Sequence, residues 1–399
     1  MLRLHALRLF ATPIFAALGS LTLPPPTGPY KVAQKPYVFD HISTNDPFWP
    51  NNVSTSVLVN FYYPTFSTPT PVYYIWEGFS KTYDDYFGVP AGSFRNMTAD
   101  LAFDAPPLPD DECRKLRLPT LMFGPPGGGP STRMFTGLLS ELASHGYVVV
   151  TVDHPYEQPY LEYPDGRNFT GVLDLTWSGE TFLQQIYDYR LTDNSALLDA
   201  MPRISNDTGI PVNLTHFVFF GHSVGATMAL NEILLERNRT QSENKTFLGA
   251  INIDGNVDGP ASANDSSADL HAPSLFLKAS MWLRDAGGPP RPLFESHQSS
   301  WTKELRWLGN VNHTDFTDTI FLKHALGISG GAGAISASRM LQTTRAFVKA
   351  FMDMVSEGKG GFEGLLSGDS NAAEEFPEVV FDWNGTGDPC APDLCRLDA

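Results

Sequence analysis

The sequence predicts an α/β fold: a mostly parallel central sheet covered by helices on both sides. Three observations predict it. Continuously apolar runs at 118–123, 147–152, 217–220, 247–253 and 273–278 read as interior strands buried on both faces. Helical patterns at 133–144, 180–198 and 227–235 alternate with them, and strand–helix–strand succession is the signature of a doubly covered sheet. The third is Val218-Phe219-Phe220-Gly221-His222-Ser223-Val224-Gly225-Ala226, a strand that ends in a G-x-S-x-G turn and opens into a helix.

That turn has the form of a nucleophile elbow. A serine at a sharp strand-to-helix turn sits in a strained backbone, so its neighbours must be small. Gly221 and Gly225 meet that need. The helix start also leaves backbone N–H groups free to stabilise a developing oxyanion. An ordinary turn is the bland alternative, and the apolar strand before it and apolar helix after it count against that.

Taken in order, residues 1–20 carry Arg3 and Arg8, a short apolar run and then small residues. They read as a signal peptide, too short to span a membrane. Residues 21–399 are expected to form a single domain. Residues 20–34 are proline-rich and read as unstructured. The β-rich segments 57–63 and 71–76 read as an antiparallel hairpin. The run Gly127-Gly128-Gly129 directly follows the 118–123 strand. It lacks the spacing of a phosphate loop, and its small residues suit a second oxyanion donor. Residues 155–179 form a long aromatic insertion expected over the carboxyl ends of the strands. Beyond 253 come an expected helix at 295–305, a last strand at 307–311 and a helix at 336–356. The acidic, glycine-rich 358–399 reads as a surface appendage.

A serine nucleophile needs a base, and the base an orienting carboxylate. On this type of fold the chain order is Ser, then Asp or Glu, then His. His313 follows the last expected strand in a loop, whereas His324 lies in a helical pattern, and His271 and His297 lack a strand-end setting. Asp254 ends the apolar 247–253 strand; Asp258 and Asp285 are the rivals in looser surroundings. The expected set is therefore Ser223, Asp254 and His313, with His222 packed structurally under the turn.

Composition narrows the partners. The 399-residue chain is 42% hydrophobic with a formal net charge of −17, which disfavours a nucleic-acid partner. Ten N-x-S/T sequons, at Asn52, Asn96, Asn168, Asn206, Asn213, Asn238, Asn244, Asn264, Asn312 and Asn384, suit a secreted, extracellular glycoprotein. Three cysteines do not make a disulfide scaffold; Cys390 could pair with Cys395, or Cys113 with either. No metal-ligating spacing occurs, so no metal or cofactor is expected.

These blocks resemble the secreted platelet-activating-factor acetylhydrolase family, whose members are α/β hydrolases. The resemblance runs through Phe61-Tyr62-Tyr63-Pro64, residues 121–129, residues 142–154, Gly221-His222-Ser223-Val224-Gly225, residues 249–254, residues 272–280, and Asn312-His313-Thr314-Asp315-Phe316-Thr317-Asp318. It implies an α/β-hydrolase fold and a calcium-independent esterase that removes short acyl groups from the middle position of a glycerophospholipid. The family's nucleophile, acid and base fall on Ser223, Asp254 and His313. Its two oxyanion donors are backbone N–H groups, which by position fall on Val224 and Gly128. The chain departs from the family at Val224, where an aromatic is usual, in the loop at 125–129, and at Asn256. These departures reshape the acyl pocket. A cutinase-like, polyester or short-chain carboxylesterase is the nearest alternative; a noncatalytic binding protein or a peptidase on the same fold is more remote.

Overall fold

The computed structural model describes residues 20–171, 180–242, 244–280, 291–327, 335–357, 364–367 and 374–384. The expected signal peptide, but for its last residue, lies outside them, as do Asp285, Cys390 and Cys395.

Strands β1 (Leu21–Thr22), β2 (Lys31–Thr44), β3 (Val53–Thr65), β4 (Thr70–Tyr73) and β5 (Met97–Phe103) come first, with α1 (Glu77–Phe87) before β5. Helix α2 (Asp110–Leu116) leads into β6 (Thr120–Gly124), α3 (Thr136–Ser144) and β7 (Val148–Asp153). The hairpin β8 (Tyr160–Glu162) and β9 (Asn168–Thr170) precedes α4 (Glu180–Thr208), β10 (His216–His222), α5 (Val224–Arg237) and β11 (Thr246–Ile253). Then follow β12 (Ser274–Lys278), α6 (Arg291–His297), β13 (Thr302–Trp307), α7 (Thr319–Leu326), α8 (Ala337–Glu357) and β14 (Val379–Asn384).

The main sheet runs β1-β5-β2-β3-β7-β6-β10-β11-β12-β13-β14. Its centre, from β7 to β13, is parallel throughout. Strand side chains alternate between the two faces, as a period of two requires. Leu121, Phe123, Val218 and Phe220 enter the core that α3 and α8 share, while Met122, Phe217 and Phe219 meet α4 and α5 on the other side. Because both faces are covered, the strands read as unbroken apolar runs.

Strand order reverses at β6. The chain leaves β6 through α3 to β7 on one side, and returns as β10 on the other. The loops after β6 and β10 therefore lead to opposite faces and open a crevice at the carboxyl edge, where ligands bind in open α/β sheets.

Several expectations are corrected. Segments 57–63 and 71–76 do not pair with each other: β3 lies between β2 and β7, and β4 pairs with β5. Every residue of β3 from Val57 to Thr65 is buried, so the strand needs neighbours on both edges, and a local hairpin supplies only one. Residues 31–44, partly read as unstructured, form β2. The last parallel strand is Thr302–Trp307 rather than 307–311, and the helix before it is only Arg291–His297. Within that strand Lys303 and Glu304 are buried, so its polar composition disguised it. Helix α4 continues to Thr208, ten residues beyond the expected end at 198. The segment read as a surface appendage contributes β14, antiparallel to β13, with Phe376 and Leu366 in the core.

Candidate active site

The Gly-x-Ser-x-Gly turn is built by steric necessity. Ser223 has φ +57° and ψ −119°, a left-handed conformation that costs of order 1–3 kcal/mol in a non-glycine residue. Its N–H donates to Ile253 O at 2.9 Å, tying the turn to the end of β11. A Cβ on Gly225 would lie 2.1 Å from Gly124 O, and one on Gly221 2.4 Å from Gly225 O. Both obstacles are backbone, which cannot step aside. A third small residue emerges only in three dimensions: a Cβ on Gly255 would lie 2.3 Å from Ser223 O. Gly225→Ala is therefore expected to cost about 3 kcal/mol or more, read as a lowered urea midpoint or loss of folded protein.

Asp254 ends β11 with φ +54°, its N–H bonded to Leu277 O at 2.7 Å. Its side chain is fully buried. Oδ1 accepts the Ala279 N–H at 2.8 Å, and Oδ2 lies 2.6 Å from His313 Nδ1. Burial raises its carboxyl, but the hydrogen bond and charge of His313, the Lys278 ammonium and the Ala279 N–H prevail and hold it at about 2. Lys278 itself is buried and donates to Gly255 O. Sequence reasoning missed it because a lysine inside a strand reads as solvent-facing.

His313 begins a 3-10 turn, His313–Phe316, whose start is fixed by a reciprocal cap between Asn312 and Asp315. Its side chain is 34% exposed, so one edge faces the crevice while the other meets Asp254. The neighbouring motif residues anchor this loop. Phe316 packs edge-on against Trp307, with ring centroids 5.3 Å apart. Asp318 accepts the Gly137 N–H near the start of α3 and donates its own N–H to Met134 O at 2.7 Å. Burial pushes the Asp318 carboxyl up to about 8.

His222 is 1% exposed, as the structural reading expected. Its Nε2 donates to His313 O at 2.8 Å, and the two rings lie 4.4 Å apart. Burial pushes its imidazole down to about 3, so it stays a neutral donor. Candidate metal-ligand atoms of His222, Asp254 and His313 lie within 4.8 Å of one another.

The structure thus brings Asp254 and His313 together beside the strand end that carries Ser223. Asp258 accepts from Tyr187 Oη at 3.1 Å instead, and His324 is exposed on α7. Among the described contacts the Val224 N–H has no acceptor, which leaves it available to an oxyanion. Gly128, the other expected donor, is placed differently: its N–H donates to Glu157 Oε1 at 3.1 Å. The buried Glu157 carboxylate requires donors, and it takes this one. Beside Ser223, the Val224 side chain joins Ile186, Tyr187, Tyr189 and Met228, with Phe48 and Leu191 against them, in an apolar wall.

No protein-family model matches the chain. It is 27% identical over 280 residues to a curated protein of Arthroderma benhamiae named "Probable 1-alkyl-2-acetylglycerophosphocholine esterase". That match covers 66% of each chain, just under two thirds of the relative's length. The fold is similar to that of a ferulic acid esterase from Streptomyces cinnamoneus, with a TM-score of 0.71, 25% identity, and coverage of 92% of this chain and 100% of that one. The chain has an α/β-hydrolase fold. Both similar proteins are esterases, and a carboxylic ester hydrolase is the class these likenesses support.

Proposed function

We propose that the protein is a serine carboxylic ester hydrolase that removes a short acyl group from a phospholipid through an acyl-enzyme. The observation that carries this reading is the 2.6 Å contact between His313 Nδ1 and the buried Asp254 carboxylate, next to a strained elbow serine. Asp254 holds the imidazole with Nδ1 protonated, so Nε2 is the free base. Ser223 Oγ attacks the ester carbon and passes its proton to His313 Nε2. The Val224 N–H steadies the oxyanion. His313 then protonates the leaving alcohol, and the same groups drive attack by water on the acyl-enzyme. Asp254 stays ionised throughout, balancing the imidazolium.

The phospholipid part of the reading is supported by the name of the Arthroderma benhamiae relative and by the family resemblance of the blocks around Ser223, Asp254 and His313. A second reading, a short-chain or aryl carboxylesterase, is favoured by the likeness to the ferulic acid esterase and by the small Val224 beside the nucleophile. Comparing kcat/KM on a phospholipid with acetyl at its middle position, its long-acyl counterpart, a hydroxycinnamate ester and an aliphatic polyester separates them. We expect the acetyl phospholipid to exceed the long-acyl one at least tenfold. Preference for the aryl ester or the polyester would overturn the phospholipid reading and leave the ester chemistry standing.

The proposal extends to a secreted glycoprotein whose residues 1–20 are removed. Asn52, Asn168, Asn206, Asn238, Asn244 and Asn264 are all exposed, as glycan acceptors must be. Among the described residues no helix is long and apolar enough to cross a membrane.

A further inference from the structure

Beside the elbow lies a buried ion pair that takes no part in the proton transfers. Glu157, in the turn after β7, and Arg190, on α4, are 0% and 2% exposed. The guanidinium grips both carboxylate oxygens: Nε donates to Oε2 at 3.0 Å and Nη2 to Oε1. Tyr189 donates its hydroxyl to Oε2 as well. Among the described residues, the remaining side-chain hydrogen bonds of the pair go to the loop at 125–128. Arg190 Nη1 donates to Pro125 O at 2.7 Å, Nη2 to Pro126 O at 3.2 Å, and Glu157 Oε1 accepts the Gly128 N–H at 3.1 Å.

The loop's other side rests on the elbow. Gly225 donates its N–H to Pro125 O at 3.1 Å, so that carbonyl accepts from both the elbow helix and Arg190. We infer that Arg190 and Glu157 are positioning residues that lock the glycine loop against the elbow, setting its backbone relative to the Val224 N–H. The inference rests on the serine-hydrolase reading above.

The physical need is plain. Three successive glycines have the widest backbone freedom of any sequence, and cannot by themselves hold a polar surface at a fixed distance from a reacting atom. A two-pronged guanidinium–carboxylate pair has rigid geometry. Its desolvation largely cancels its Coulomb gain, so net stability alone is a poor account of it. Burial raises the Glu157 carboxyl, and the Arg190 charge more than reverses this. The pair therefore stays ionised and close to neutral overall, which keeps a bare carboxylate from opposing the oxyanion.

The test uses Arg190→Lys, Glu157→Gln and the neutral double variant Glu157→Gln/Arg190→Met, assayed on a soluble short-acyl ester with kcat expressed per folded molecule. Lysine keeps the charge but cannot span two carboxylate oxygens and two carbonyls. We expect Arg190→Lys to lower kcat roughly 10- to 100-fold with KM changed less than about threefold. Glu157→Gln is expected to lose about tenfold. The double variant should recover thermal stability toward wild type without recovering kcat. If the single variants do not fold, the double variant carries the test. Recovery of kcat together with stability, or an unchanged kcat in Arg190→Lys, would show a purely structural pair and overturn the inference. Phosphonate labelling of wild-type Ser223 is measured separately: its failure would remove the serine-hydrolase reading, and its success with unaffected variants would remove only this one.

Discussion

Ser223→Ala is expected to lower kcat by roughly 10⁶-fold while the fold survives. The loss is this large because nucleophile and base act as a unit: without Oγ there is no acyl-enzyme, and the imidazole has nothing to activate except water. The fold should survive because the Ser223 side chain caps nothing in α5 and alanine retains the Cβ that the turn already accommodates. Strain at φ +57° resides in the backbone and is unchanged by the substitution. The measurements are turnover of a chromogenic short-acyl ester, the mass of the phosphonate adduct, and thermal melting. Residual turnover within tenfold of wild type, with a matching melt, would remove Ser223 as nucleophile.

Asp254→Asn is expected to lower kcat by roughly 10⁴-fold with little change in KM. One carboxylate oxygen is pinned by the Ala279 N–H at 2.8 Å, leaving the other for His313. An asparagine that keeps its carbonyl on Ala279 turns its NH₂ toward Nδ1. The imidazole must then accept there and carry its proton on Nε2, which is useless as a base toward Ser223. The same substitution carries a stability signature. The folded Asp254 carboxyl, at about 2, lies below its unfolded value of roughly 3.9, so its contribution is present above that unfolded value. It is lost as the pH falls through the folded value. Wild type should exceed Asp254→Asn by about 2 kcal/mol at neutral pH, and the gap should close between about pH 4 and pH 2. Urea midpoints of both proteins across that range check it. A gap that persists at pH 2 would mean that shape rather than charge makes the difference.

Much of this was legible in the sequence, and for local reasons. The elbow is visible because its motif is local: Gly221, Ser223 and Gly225, spaced two apart after an apolar strand, declare the turn, although the backbone that excludes a side chain at Gly225 is Gly124. The parallel strands at 120–124, 148–153, 216–222 and 246–253 are visible because burial on both faces leaves no polar alternation. Asp254 and His313 could be named because each follows a strand, and strand ends share one edge of such a sheet.

What the sequence could not supply is anything decided by partners distant along the chain. Strand β3 resembles one arm of a hairpin until β2 and β7 take its two edges. Strand β13 reads as the end of a helix at 295–305 until Lys303 is buried against the Leu366 carbonyl and β14 closes its edge. Gly128 looks like a free donor until Glu157, 29 residues away, accepts a hydrogen bond from its N–H, and nothing in the insertion at 155–179 shows that Glu157 meets Arg190 in the interior. Periodicity and motif spacing are short-range and are written into neighbouring residues. Strand pairing, and the partner that a buried charge finds, depend on which distant segments the folded chain brings within about 3 Å of each other, and only the tertiary structure decides that.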